Sequence, residues 1–188
     1  MGLRASCELE EIGIALATFT SNSCPNHSAP DLKNKSFTIT AEAEIPTGSA
    51  ENMIFTQGGF TGGWGFYMQQ GKLVGEHSYV AIDRYRVVST EPVPTGKVTL
   101  ALDFKYDGGG MAKGGTIVLL ANGRKIGEGR VDQTTPFKYA LAEGQDIGED
   151  TGTPVDFSYT PPFKFTGTLG KVTVELKPEG AAGGRALQ

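Results

Sequence analysis

The segment FKYDGGGMAKGGTIVLLANGRKIGEG, residues 104–129, decides the fold class. Its glycine-rich stretch, residues 107–115, lies between two segments with apolar patterning. A phosphate-binding loop needs a helix immediately after it, because the helix N-terminus supplies the N–H groups that hold the anion. Here Lys113 precedes its glycine, and residues 116–120 form an aliphatic run that ends at Asn122-Gly123. Because Asn-Gly favours the tight turns of β-hairpins, the segment predicts a hairpin and not a nucleotide site.

The composition is that of one strand-rich globular domain. The chain has 188 residues, and its 27 glycines and 10 prolines supply many turns between short elements. A chain of this size buries about 70% of the surface that its unfolded form exposes, so a core forms without metal or disulfide support. The net charge of −4, with no basic block, argues against nucleic acid and against an acidic membrane as partners.

The two ends of the chain lack the periodic pattern of the rest. We predict that residues 1–31 are a tail or linker, residues 32–178 a β-sandwich domain, and residues 179–188 a C-terminal tail. Cys7 and Cys24 precede the patterned region, so they pair with each other or stay free. Acidic residues stand where a secretory signal carries positive charge, and no apolar run approaches the length of a membrane helix.

Period-two alternation predicts an all-β fold. From Phe37 to Ile45, apolar residues alternate with threonine and glutamate, which buries one face of a strand and wets the other. Further strands are predicted at residues 52–57, 64–70, 73–80, 84–89, 98–106, 163–168 and 172–177, in addition to the hairpin. About ten strands without a helix indicate a two-sheet antiparallel sandwich of the jelly-roll type.

One strand predicts a candidate binding surface. If Trp64, Phe66 and Met68 face the core, Tyr67 points to the opposite surface. Neighbouring strands add the remaining members of a predicted glycan or sulfated-ligand patch: Tyr67, His77, Tyr79, Arg84 and Arg86. Tyrosine faces suit sugar rings and arginine forks suit sulfate. The alternative is that the tyrosines pack against the partner sheet or another domain and the arginines are surface charge.

Catalytic and metal sites are poorly supported. The only histidines are His27 and His77, and no serine lies in a Gly-x-Ser-x-Gly elbow. Glu42 and Glu44 share a strand face, where a solvated surface is the simpler interpretation. Asp107, Asp146 and Asp150 lie in loops of a kind that binds calcium, although turn formation alone explains each of them. We therefore predict no catalytic residue, no metal and no cofactor.

Several spaced motifs carry a family resemblance. They are residues 33–41 (KNKSFTITA), 57–64 (QGGFTGGW), 104–110 (FKYDGGG) with 113–116 (KGGT), and 150–155 (DTGTPV) with 165–168 (FTGT). With them, residues 28–178 resemble the C-terminal accessory domain of certain large bacterial arylsulfatases, within the broader concanavalin-A-like and laminin-G-like sandwiches. The resemblance implies a sulfatase catalytic domain as partner and a periplasmic or secreted parent enzyme, while the compartment of this chain stays open.

The resemblance does not extend to the sulfatase active site. That site implies Cys or Ser, then any residue, Pro, any residue and Arg, because the first residue is oxidised to formylglycine. Here Ser28-Ala-Pro-Asp-Leu lacks the arginine, and Cys24-Pro-Asn-His-Ser has its proline misplaced. The expectation is therefore a non-catalytic accessory module, which packs on a catalytic domain or helps to position its substrate. A free-standing lectin-like carbohydrate-binding module is the alternative.

Overall fold

The computed structural model describes residues 8–12, 14–19, 23–24, 29–140 and 143–177, and every regular element in these ranges is a β-strand. The strands are β1 (Glu8–Ile12), β2 (Ile14–Phe19), β3 (Ser23–Cys24), β4 (Phe37–Ile45), β5 (Asn52–Gly59), β6 (Gly62–Gln69), β7 (Lys72–Tyr79), β8 (Asp83–Val88), β9 (Gly96–Tyr106), β10 (Gly115–Ala121), β11 (Arg124–Val131), β12 (Gln145–Ile147), β13 (Glu149–Asp150), β14 (Phe163–Lys164) and β15 (Thr168–Leu176).

These strands form two sheets. Sheet A has the order β1-β2-β15-β4-β9-β10-β11, and sheet B has the order β13-β14-β5-β6-β7-β8, with β12 pairing with β5 and β3. All the pairs are antiparallel except that of β14 with β5. The predicted all-β sandwich with two largely antiparallel sheets is confirmed.

Residues 104–129 form the hairpin that their sequence predicts. Residues 107–114 connect β9 to β10, and Gly115 pairs with Tyr106 at the mouth of this connection. Asn122 and Gly123 form the next turn, both with positive φ (50° and 76°), which is the conformation for which Asn-Gly is suited. The glycine-rich stretch is therefore a hairpin connection.

The inner faces of the two sheets enclose the main core. Trp64 on β6 packs edge-on against Phe37 of β4, with ring centroids 5.1 Å apart, and lies 4.7 Å from the ring of Phe104 on β9. Phe66 and Met68 are also fully buried on this side, as predicted. These contacts align the start of β4 and the end of β9 with the start of β6, so one end of sheet A lies over one end of sheet B.

A second, smaller core lies on the outer face of sheet B. Met53, Tyr67 and Val74 pack there against Tyr159 and Phe163. Tyr159 belongs to residues 151–162, an irregular segment between β13 and β14 that we call the strap. Because the strap covers this face, β5, β6 and β7 are buried on both sides and do not show the alternating exposure of β4.

Three local predictions differ from the structure. The segment expected to be a tail or linker, residues 1–31, contributes β1 and β2 to sheet A, while the boundary at residue 31 stays a prediction. The strand predicted over residues 163–168 is wrong beyond Lys164, because residues 165–167 turn the chain from sheet B to sheet A. The loop predicted around residues 146–150 contains the short strands β12 and β13. Cys7, His27 and the tail 179–188 lie outside the described residues.

Candidate binding surfaces

The five residues of the predicted patch do not share one surface. Alternation along β6 and β8 places Tyr67, Arg84 and Arg86 on the outer face of sheet B. His77 and Tyr79 lie on the inner side of β7, so the expectation of one continuous patch is wrong. The register explains the error: His77 pairs with Trp64 and therefore faces the core with it.

His77 is a core residue. Its ring lies 4.3 Å from that of Trp64, and its Nε2 accepts a hydrogen bond from the Thr135 backbone N–H at 3.1 Å. Complete burial lowers the pKa of His77 to about 3, because the charged imidazolium cannot be solvated there. Tyr79 is half-buried at the end of the same strand. This arrangement serves packing and the anchoring of the segment after β11.

Tyr67 and Glu76 form a buried polar pair beneath the strap. The Tyr67 hydroxyl donates to Glu76 Oε2 at 2.6 Å, and both side chains are fully buried. Burial raises the pKa of Glu76 to about 8; the neighbouring Asp156 carboxylate also raises this pKa, whereas the Tyr67 hydrogen bond and the Arg86 guanidinium lower it. Sequence patterns did not single out Glu76, because a glutamate in a predicted strand is normally assigned to the solvent face.

Arg84 lies at the rim of the strap beside two aromatic rings. Its guanidinium is 5.2 Å from the ring centre of Phe60 and 4.8 Å from that of Phe157, and the two rings are 5.0 Å apart. Arg84 Nε donates to the Val155 carbonyl at 3.2 Å and lies 3.8 Å from Asp156 Oδ2. Phe60 and Phe157 were not among the predicted residues, because nothing in the sequence shows that they meet.

Arg86 contacts the same region from the exposed side. It donates to the Gln69 side-chain oxygen, and its Nε lies 3.9 Å from Glu76 Oε2. The three predicted residues on the outer face are thus mostly engaged with protein groups. What reaches solvent there is the edge of Arg86 and the ring of Phe157, which is 69% exposed.

The loops at one end of the sandwich expose a set of apolar side chains. We define the loop end as the turns 60–61 and 80–82, the connections 107–114 and 132–140, and the adjacent part of the strap. Of the large apolar side chains that are exposed in the described residues, only Val88 lies elsewhere. The others are Val80 (39% exposed), Ile82 (75%), Met111 (59%), Phe137 (69%) and Phe157 (69%).

Hydrogen bonds join these loops to one another. The Thr61 hydroxyl donates to the Tyr139 carbonyl at 2.9 Å, and the Thr134 hydroxyl donates to the Lys113 carbonyl at 2.8 Å. Asn34 bridges two further segments: its Nδ2 donates to the Pro136 carbonyl at 2.9 Å, and its Oδ1 accepts from the Ala112 N–H at 2.9 Å. The loop end is therefore a preformed surface.

The loop aspartates have other partners. Asp107 accepts a two-pronged contact from the Arg130 guanidinium across the β9–β10 and β11 ends, with Nη1 2.9 Å from Oδ1. Asp146 accepts from the Thr151 hydroxyl at 2.8 Å, and buried Asp150 accepts from the Tyr159 hydroxyl at 2.6 Å. Within the described parts of the chain, no three His, Cys, Asp or Glu side chains are grouped as a metal site.

The outer face of sheet A is open and polar. Glu42 and Glu44 are exposed there, and they line an open groove of about 390 Å³ together with Lys97 and Thr168. Glu44 pairs in register with Lys97 on β9. The groove lies at the end of the sandwich opposite the loop end. No helix among the described residues is long and apolar enough to cross a membrane.

The chain shares its fold with solved sandwich domains. Domains LG4-5 of the mouse laminin α1 chain are 12% identical, with a TM-score of 0.56 over 84% of this chain and 40% of the laminin fragment. The CBM40 of the Ruminococcus gnavus IT-sialidase, solved bound to α2,6-sialyllactose, is 14% identical, with a TM-score of 0.52 over 84% of this chain and 90% of that one.

At these identities the likeness concerns the fold alone. No protein-family model and no curated protein sequence matches the chain. The chain is thus a β-sandwich of the jelly-roll type that laminin G-like domains and the sialidase CBM40 share.

Proposed function

We propose that the protein is a non-catalytic accessory β-sandwich module of an arylsulfatase, and that its loop end packs on the catalytic domain. The observation that carries the proposal is the concentration of exposed apolar side chains at the loop end, with only Val88 elsewhere in the described chain. Exposed large apolar side chains that are grouped at one end of a domain are typical of a protein contact.

Several motifs of the arylsulfatase resemblance reach the loop end, whereas residues 165–168 lie at the opposite end, where Thr168 lines the groove beside Glu44. Residues 57–64 contain the turn at 60–61, residues 104–116 form the glycine-rich connection, and residues 150–155 begin the strap. Asn34 of the first motif bonds to both Ala112 and Pro136. Parts of motifs that are far apart in sequence thus lie together at the loop end, and this supports a partner contact there.

Association with a catalytic domain tests the proposal. The partner is the arylsulfatase catalytic domain encoded nearest to this chain, produced separately and titrated by calorimetry. We expect binding that weakens tenfold or more, about 1.4 kcal/mol, when Phe137 and Phe157 are both changed to alanine. Val88→Ala, at the opposite end of β8, is the matched control and is expected to bind like the wild type. Absence of association, or equal loss in the control, would contradict the proposal.

The proposal also states that the chain is not an enzyme by itself. The described residues offer only His77 as a histidine, and that side chain is buried in the core. We expect the pure chain to show no turnover of aryl sulfates above the buffer rate. Turnover that is lost on Glu76→Gln or Asp156→Asn substitution would instead assign a catalytic role to these two carboxyl groups.

A lectin-like carbohydrate-binding module is the second candidate. The observation that favours it is Arg84, whose guanidinium packs against the rings of Phe60 and Phe157, the latter being 69% exposed. An exposed ring stacks on sugars and a guanidinium binds sulfate, and the CBM40 with the same fold was solved with a sialylated sugar. A glycan array with sulfated and unsulfated sugars distinguishes the candidates. Binding that Arg84→Gln and Phe157→Ala both abolish favours the lectin, and tight catalytic-domain association without glycan binding excludes it.

A further inference from the structure

The strap is held over the outer face of sheet B by one contact unlike the others. Its other anchors each join a donor to an acceptor: Gln69 Nε2 donates to the Ser158 carbonyl at 3.3 Å, and the Tyr159 hydroxyl donates to the Asp150 carboxylate at 2.6 Å. In contrast, the carboxyl group of Glu76 on β7 lies within hydrogen-bonding reach of the carboxyl group of Asp156 in the strap. Two carboxyl groups bond to each other only when one of them carries a proton.

The hydrogen-bond pattern identifies which group carries that proton. Glu76 is fully buried, its Oε2 accepts from Tyr67, and its Oε1 has no donor among the described residues. Asp156 is partly exposed, its Oδ1 accepts from the Ser158 N–H at 2.6 Å, and its Oδ2 lies 3.8 Å from Arg84 Nε. A proton on the Glu76 carboxyl group, donated to Asp156, satisfies both groups, because Asp156 is the one stabilised as an anion.

The surrounding groups do not replace this proton. The titratable and charged groups that face Glu76 are Tyr67 from β6, Arg86 from β8 and Asp156 from the strap. Arg86 Nε is 3.9 Å away and is also engaged with Gln69 at the exposed side, so it compensates only part of a second negative charge. When Glu76 ionises, two carboxylates face each other across the boundary between sheet and strap, where little water screens them.

We propose that the Glu76–Asp156 pair is a proton-dependent latch: with the proton it closes the strap, and without the proton it releases the strap and uncovers Met53, Tyr67 and Val74 on the outer face of sheet B. The burial that raises the pKa of Glu76 to about 8 from its ordinary 4.5 supports this assignment. Because the pKa is raised in the closed state, protonation of Glu76 stabilises the closed strap fully below about pH 4.5. This stabilisation of the closed strap decreases progressively as the pH rises to about 8.

Hydrogen exchange of the intact chain tests the latch. Amide exchange in residues 151–162 is followed from pH 5 to 8 and corrected for the intrinsic chemical rate, with residues 116–121 of β10 as the internal control. We expect the opening constant of the strap to rise about tenfold or more over this range, while that of β10 does not change. In Glu76→Gln, which cannot ionise, we expect the dependence on pH to vanish. A wild-type strap without pH dependence, or a Glu76→Gln variant that keeps it, would overturn the proposal.

A second variant guards against misfolding of the first. Asp156→Asn keeps the shape of the strap and removes the facing charge, so the pH dependence is expected to become at least threefold weaker than in the wild type. Far-ultraviolet circular dichroism establishes that each variant is folded. An unchanged pH dependence in a folded Asp156→Asn variant would also overturn the latch, because the pair would then not be the source of the effect.

Discussion

The outer faces of the two sheets both carry glutamate side chains, but these glutamates have opposite environments. On sheet A, Glu42 and Glu44 of β4 are exposed, and their apolar neighbours along the strand are buried. On sheet B, Glu76 of β7 occupies the equivalent outward position and is fully buried under the strap. The difference teaches that strand alternation predicts which side of a strand faces the core, whereas a distant segment decides whether the other side meets solvent.

The largest effect is expected when a side chain is removed from each outer face in turn. Tyr67→Ala is expected to lower the free energy of unfolding by about 4 kcal/mol, since it empties the second core and leaves Glu76 without its donor. Glu42→Ala on sheet A is expected to change it by less than about 0.5 kcal/mol. Urea unfolding measures both. A small loss for Tyr67→Ala would mean that the strap does not cover that face in solution.

The dependence of the free energy of unfolding on pH gives the next largest effect. Glu76 has a raised pKa, so its contribution falls between pH 4.5 and about 8, by on the order of 3 kcal/mol. His77 has a lowered pKa of about 3, so its contribution rises up to about pH 6.5 and then stays constant. The two trends oppose each other at first. We therefore expect a plateau between about pH 4.5 and 6.5, then a fall to about pH 8 that is absent in Glu76→Gln.

Substitution of two glycines by alanine gives the smallest of these effects. The two substitutions compare the packing on the two faces of sheet B. In Gly75→Ala, the new Cβ would lie 2.8 Å from Leu102 Cδ1 and 3.1 Å from Leu119 Cδ2, inside the main core. We expect a loss of about 1–3 kcal/mol by urea unfolding. In Gly65→Ala, beneath the strap, the nearest atom is Tyr67 Cε1 at 3.4 Å, and we expect less than about 1 kcal/mol. A larger loss for Gly65→Ala would show that the second core is packed more tightly than the first.

The sequence predicts much of the fold because strands and turns depend mainly on residues that are neighbours in the sequence. Alternation from Phe37 to Ile45 and the Asn122-Gly123 turn are confirmed, and so is the inward orientation of Trp64, Phe66 and Met68. The absence of a helix after the glycine-rich connection sufficed to reject a phosphate site there.

The candidate site is less predictable, because it depends on register and on contacts between distant segments. A pairing of Trp64 with His77 turns His77 inward, and no local pattern fixes that pairing. The Glu76–Asp156 contact joins residues eighty positions apart, in a strap without periodicity. The sequence suggested a turn or calcium for Asp150, whereas Asp150 accepts a hydrogen bond from Tyr159 of the strap; Asp156, within the strap, was not singled out.

The most direct test of the central claim is a hydrogen-exchange footprint of this chain with and without the arylsulfatase catalytic domain. We predict that protection increases in the loop end, in peptides that cover residues 60–61, 80–82, 107–114 and 132–140. The outer face of sheet A around Glu42 and Glu44 should stay unchanged. Protection confined to sheet A, or no protection at all, would contradict the claim that the loop end is where this module contacts its catalytic partner.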